Sequence, residues 1–173
     1  MKKVLAILMA ALLSGVAASA AAQGQGLGFR HEVSLFGSWD DIDEPEQQEI
    51  LNLNLRYGYF VSPRALATAT LSRLSVDDRS GDSSTTTFLV GAKYYFSELR
   101  RQSLVPFVDG GIGFTHVDTG RDDGTDLSWE FGGGVAMFFS ENTSVDAGLR
   151  FYNTDTDVRT KGIRAFLGLT TRF

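Results

Sequence analysis

Two histidines and no cysteine are the chain's stock for acid–base, nucleophilic or metal chemistry beyond its carboxylates. The missing cysteines remove disulfides, thiolate nucleophiles, thiolate zinc sites, iron–sulfur clusters and lipid attachment through a lipoprotein cysteine. Neither His31-Glu32-Val33 nor His116-Val117-Asp118 sets a serine beside its imidazole. There is no Gly-x-Ser-x-Gly elbow, phosphate loop or metal triad. The run Asp77-Asp78-Arg79-Ser80-Gly81-Asp82 lacks the ligand spacing and closing glutamate of an EF-hand. A net charge of −5 argues against nucleic acid as a partner. The expectation is a protein that is not an enzyme, with no cofactor and no metal site.

The elements that carry these residues are legible from the N-terminus onward. Lys2 and Lys3 precede an apolar run over 4–13, and small residues follow through Ala22. That is the layout of a secretory leader, too short to span a bilayer as a helix. Cleavage fits after Ala20 or Ala22; the second is favoured, giving a leader over 1–22 and a mature chain over 23–173. No later stretch has the ~18 consecutive apolar residues of a transmembrane helix, so any membrane crossing must be made by strands. At 173 residues the chain suits a single domain.

From Phe29 the dominant period is two. It predicts eight strands over 29–39, 49–61, 64–76, 85–96, 104–117, 127–139, 144–153 and 159–173, with room for one helical turn at 97–103. Short connections make an antiparallel up-and-down sheet the simplest topology. In the second segment Leu51, Leu53, Leu55, Tyr57 and Tyr59 share one face, and Asn52, Asn54, Arg56 and Gly58 share the other. The sixth sets Leu127, Trp129, Phe131, Val135, Met137 and Phe139 against Ser128, Glu130, Gly132 and Gly134. The third has no clear phase, and Arg73 favours putting Leu66, Thr68, Thr70 and Leu74 outward. The charges gather on the polar faces: Arg30, Glu32, Arg56, Lys93, Asp109, Glu130, Asp146, Arg150 and Arg164. A salt-bridge network filling a lumen is the expected use of these nine, with glycines such as Gly148 and Gly168 making room.

Aromatic residues end the apolar faces of the even-numbered segments at Tyr59, Phe96, Phe139 and Phe173, with Phe29 entering at the same level. Trp39 and Trp129 form a sparser belt toward the other end. Paired aromatic girdles mark the two interfaces of a membrane barrel. Ten residues at ~3.4 Å each, tilted by ~45°, rise about 24 Å, the height of such a barrel's apolar band. With the N-terminus in the periplasm, the outer connections are 40–49, 77–84, 118–126 and 153–159. They are rich in Asp and Glu, with Arg79, Arg121 and Arg159 the basic residues. Acidic loops of this kind can hold divalent cations that bridge to lipopolysaccharide.

The leader, the stretches Pro106-Phe107-Val108-Asp109-Gly110-Gly111-Ile112-Gly113-Phe114 and Phe131-Gly132-Gly133-Gly134-Val135, and the final Phe173 resemble the small outer-membrane beta-barrel superfamily. That superfamily includes OmpA-type transmembrane domains, OmpX-like and opacity-type proteins. The resemblance implies an all-β, eight-stranded antiparallel transmembrane β-barrel in the outer membrane. It also implies Gly168 and Phe173 as the signal read by the barrel-assembly machinery. Implied partners are outer-membrane lipid and lipopolysaccharide, and a monomer is the expected state. Deacylases of this size in the superfamily use a His-x-Ser arrangement, which neither histidine here supplies. The expected role is non-catalytic, in envelope structure or surface interaction, with a polar lumen filled by side chains. The alternatives are a narrow pore or small-ligand path through the barrel, and a soluble lipocalin-like carrier.

Overall fold

The computed structural model describes residues 29–40, 51–78, 81–97, 103–118, 123–154 and 160–173. The side chains of 39–40, 51, 74–78, 81–83, 118, 123 and 160 are outside that description. So are residues 1–28, where the leader is expected, the segments 41–50, 79–80, 119–122 and 155–159, and residues 98–102 of the helical turn expected over 97–103.

Eight strands form in chain order: β1 His31–Asp40, β2 Leu51–Phe60, β3 Ala65–Asp78, β4 Gly81–Tyr95, β5 Leu104–Asp118, β6 Asp123–Phe138, β7 Thr143–Thr154 and β8 Thr160–Arg172. Each pairs antiparallel with its neighbours, and β1 pairs with β8 from Glu32↔Arg172 to Asp40↔Arg164, closing the sheet into a barrel. Alternating side chains sort to the two faces of every strand. Both described termini, the connections 61–64 and 139–142, and residues 96–97 and 103 lie at one end, called here the terminal rim. The other end is the distal rim.

The outer wall carries large apolar side chains in the open. Leu55, Tyr57, Tyr59, Phe88, Val90, Ile112, Phe114, Phe131, Leu149, Phe151 and Leu167 are all exposed. A continuous apolar surface on that scale is what hydrocarbon, not water, accommodates. At the terminal rim Tyr59, Phe96 and Phe139 are exposed, and Tyr94 meets Phe96 edge-on at 5.6 Å between ring centroids. Trp129 lies exposed higher on the wall.

Three expectations need correction. In β3, Leu66 (1% exposed), Thr70 and Ser72 point inward, while Leu71 and Arg73 are exposed. The phase suggested by Arg73 is therefore inverted. Arg73 sits two residues toward the distal rim from Leu71, where a long cationic side chain can reach past the apolar band to water. Phe29 does not join the outer girdle; it packs against the interior apolar cluster. The segments 77–84 and 118–126 are largely strand: Asp78 pairs with Gly81, and Asp118 with Asp123. The Ser- and Thr-rich run 83–87 favours extended backbone, so β3 to β6 rise beyond their neighbours at the distal rim.

A nitroxide at Leu71 should be relaxed by oxygen dissolved in lipid, and one at Thr70 by neither oxygen nor a water-soluble nickel chelate. The opposite result would restore the other phase for β3.

Candidate functional site: a charge-filled lumen

An eight-stranded barrel leaves an interior only wide enough for side chains. Whatever points inward must therefore pack and pair there. Near the terminal rim, Glu32 of β1 meets Lys93 of β4 at 3.0 Å and Arg172 of β8 at 2.9 Å. Lys93 also meets Asp146 of β7 at 2.9 Å. The Tyr95 hydroxyl donates to Glu32 Oε2 at 2.6 Å and accepts from Arg172 at 2.7 Å. Asp146 accepts further bonds from Ser144 at 2.6 Å and Thr170 at 3.0 Å.

At mid-barrel a second layer repeats the composition. Asp109 of β5 bridges Arg56 of β2 and Arg150 of β7, the latter at 2.7 Å. Glu130 of β6 lies 3.1 Å from Arg56 and 3.9 Å from Arg150. Arg56 Nε donates to Thr70 of β3 at 3.0 Å, so the two layers together draw on all eight strands. Each layer holds two carboxylates and two cations, and each is neutral by itself. Taking charges out of water costs several kcal/mol per ion unless they are paired. The pairing and the added hydroxyl bonds meet that cost here.

Between the layers lie Phe36, Phe107 and Phe166, with ring centroids 5.8 Å apart for Phe36 and Phe166 and 6.3 Å for Phe107 and Phe166. Lys93 stands 4.3 Å from the Phe107 centroid, and Arg150 stands 4.4 Å from Phe36 and 4.0 Å from Phe166. Cations over ring faces are held by the ring quadrupole, most strongly where water is absent. A water-sized void is bordered by these rings, Arg56, Lys93, Asp146 and Arg150. Below the first layer, Leu66, Val105 and Ala136 are buried, and Phe29, Phe60 and Phe138 pack against the same apolar cluster. Above the second layer hydroxyls and amides pair with one another: Thr87, Thr115, Ser128 and Thr154 join hydroxyl to hydroxyl at 2.7 to 3.1 Å, and Asn54 bonds Ser38 at 3.3 Å.

Glycine lets this filling fit. A Cβ on Gly168 would come 2.8 Å from Phe36 Cα, and one on Gly148 would come 2.8 Å from Phe166 Cζ. Gly168, expected as an assembly signal, thus has a packing reason of its own. Phe173 stacks on His31 with ring centroids 5.4 Å apart, and its backbone pairs with His31.

Of the nine charges read from the sequence, the structure brings Glu32, Arg56, Lys93, Asp109, Glu130, Asp146 and Arg150 into the two layers. Arg164 is half-buried toward the distal rim, its guanidinium 4.3 Å from the Tyr152 ring centroid. Arg30 is not luminal: it is exposed. Its N–H and that of His31 both donate to the Phe173 carbonyl, at 3.0 and 2.8 Å. Two residues opposite one is the pattern of a β-bulge, which slips the in–out alternation by a residue. Sequence reasoning missed Arg172, although it shares parity with Arg164, Gly168 and Thr170. It also missed the inward Phe36, Phe107 and Phe166, so the filling is mixed apolar and ionic, not wholly polar. The interior charges and the apolar exterior are the reverse of a soluble carrier.

The histidines sit outside the lumen. His31 Nδ1 lies 2.7 Å from the Tyr57 hydroxyl on the outer wall, and His116 Nδ1 lies 3.2 Å from Thr125 Oγ1 near the distal rim. Among the described residues no cluster of His, Asp and Glu could hold a metal ion.

Substitution Lys93→Met, which leaves Glu32 and Asp146 sharing one cation, should lower stability in micelles by on the order of 3–5 kcal/mol. Urea unfolding followed by gel shift would measure it, and adding Asp146→Asn, which restores neutrality, should recover part of the loss. Gly168→Val should lower the yield of detergent refolding without any assembly machinery, through its contact with Phe36.

The family model described as outer membrane protein beta-barrel domain matches residues 8–173. Among curated proteins, none matches the chain. Solved structures similar to it include the N-terminal β-barrel domain of Pseudomonas aeruginosa OprF, at 19% identity and a TM-score of 0.58, covering 84% of this chain and 98% of that one. Neisserial surface protein A is similar at 16% identity and a TM-score of 0.62, covering 85% and 98%. Outer membrane protein H of P. aeruginosa is similar at 12% identity and a TM-score of 0.63, covering 83% and 99%. At these identities the likeness is one of fold. With the family match spanning nearly the whole chain, the protein belongs to the outer membrane protein β-barrel domain family and resides in the outer membrane.

Proposed function

We propose that the protein is a non-catalytic outer-membrane barrel that serves the envelope as a structural element and through its distal loops, with a lumen closed to ions. The observation that carries this reading is the stacking of two neutral charge layers around three phenylalanines, with a water-sized void among them. An ion crossing it would have to break buried pairs and pass an apolar ring layer. The catalytic alternative has no support in the residues around either histidine, since His31 and His116 bond Tyr57 and Thr125.

The same reading takes residues 1–22 as a leader removed on export, and Gly168 and Phe173 as the element recognised by the assembly machinery. It takes the mature chain as a monomer, because the interior is filled and the sheet has no free edge. The acidic distal connections are the surface it would offer to cation-bridged lipopolysaccharide.

The refolded mature chain should run as a heat-modifiable band on gels and give no discrete steps in a planar bilayer. Phe36→Ala combined with Phe166→Ala should introduce brief conductance events. Steady steps from the unsubstituted chain would replace the closed barrel with the pore.

A further inference from the structure

At the terminal rim the seam between β1 and β8 assembles groups that the lumen does not use. The doubled bond to the Phe173 carbonyl breaks the alternation of β1, so that Phe29 packs inside while Arg30 is exposed beside His31. The Arg30 side chain makes no ion pair or hydrogen bond among the described residues. His31 is held from three sides: Phe173 stacks on it, Tyr59 meets it edge-on at 5.6 Å, and Tyr57 lies at 5.9 Å. Its Nδ1 lies 2.7 Å from the Tyr57 hydroxyl, and in the tautomer where that hydroxyl donates, the neutral imidazole carries its proton on Nε2. That nitrogen has no hydrogen bond among the described residues.

The position of these groups fixes what they can meet. Leu55, Tyr57 and Tyr59 are exposed along the outer wall of β2, and beyond Phe60 the chain turns through Ser62, Pro63 and Arg64. His31 pairs in register with Tyr59, so it stands where the apolar wall ends and headgroups begin. In that tautomer the Nε2–H and the guanidinium beside it suit an anionic oxygen, and a guanidinium recognises a phosphate through paired N–H donors. Bulges recur where a strand re-aims a side chain toward a ligand.

We propose that Arg30 and His31 form a binding site for the phosphodiester of a phospholipid headgroup in the leaflet bordering the terminal rim. Arg30 supplies the charge and His31 Nε2 a directed donor. Tyr57, Tyr59 and Phe173 hold the imidazole and flank the upper acyl chain. Tyr57 is a positioning residue, acting on the lipid through the tautomer of His31.

The test uses the full mature chain refolded in maltoside micelles doped with either dioleoylphosphatidylglycerol or dioleoylglycerol, which has the same acyl chains and no phosphate. Native mass spectrometry counts lipid retained per barrel, and the Nε2 resonance of nitrogen-labelled His31 reports the contact. The expected result is retention of the phospholipid and not the diacylglycerol, a shift of the His31 resonance with the phospholipid alone, and a loss of retention of roughly tenfold in Arg30→Ala, the scale of one charge-assisted hydrogen bond. Arg30→Lys should recover part of it, and Tyr57→Phe should weaken the resonance shift while the heat-modifiable band persists. Equal retention of both lipids, unchanged retention in Arg30→Ala, or an equal His31 shift from inorganic phosphate at the same concentration would each overturn the proposal. A conducting lumen would leave it standing, since none of these groups lines the interior.

Discussion

A backbone amide or carbonyl left unpaired in hydrocarbon costs several kcal/mol, and this one constraint dictates the rest of the molecule. It forbids a sheet edge, so β1 must find β8. Eight strands closed in this way leave no room for a water-filled channel, and the inward half of each strand must build a solid. Long charged side chains and rings fill that space only where glycines such as Gly148 and Gly168 give way to them. The outer half of each strand is then free to be apolar, and Leu, Phe and Tyr cover it.

Much of this was legible in the sequence, because period two is an unambiguous signal wherever charges and large apolar residues separate cleanly. Asn52, Asn54 and Arg56 against Leu53, Leu55 and Tyr57 left one phase for β2, and Ser128 and Glu130 against Trp129 and Phe131 did so for β6. The signal failed where a residue's type misreports its face. Arg73 looked inward because it is charged, yet near a rim a charge can sit on the outer wall and reach water. Phe36, Phe107 and Phe166 share parity with Glu32, Asp109 and Arg164, and a reading of the polar faces by their charges passed over them, although inside the barrel their faces are partners for cations. Arg30 was misplaced for another reason: a bulge breaks the count itself, and a pattern read by counting cannot see it. The pairing of particular charges was beyond sequence reasoning, since it depends on which strands face each other across the lumen. Lys93, for example, reaches β1 and β7 from β4.

The lumen also shows why its charges come in balanced sets. A single long-range pair would fix two strands, but Asp109 between two arginines and Lys93 between two carboxylates tie several strands at once. Removing one member leaves its neighbours over-charged in a place water reaches poorly. The rings between the layers add attraction without adding charge, and they separate two sets of ions that would otherwise share partners.

The layer near the terminal rim draws on β1, β4, β7 and β8, so its full set of ion pairs exists only when both halves of the barrel are together. A chain with only its first four strands in lipid would carry Glu32 and Lys93 without Asp146 or Arg172. Insertion strand by strand would therefore pass through intermediates with an incomplete charge set and an open edge. The barrel is built to enter the bilayer as a nearly closed cylinder and, once closed, to leave it slowly, because the first strand to peel away must undo β-ladder and ion pairs together. An exit barrier of that kind is a source of persistence in the envelope distinct from equilibrium stability.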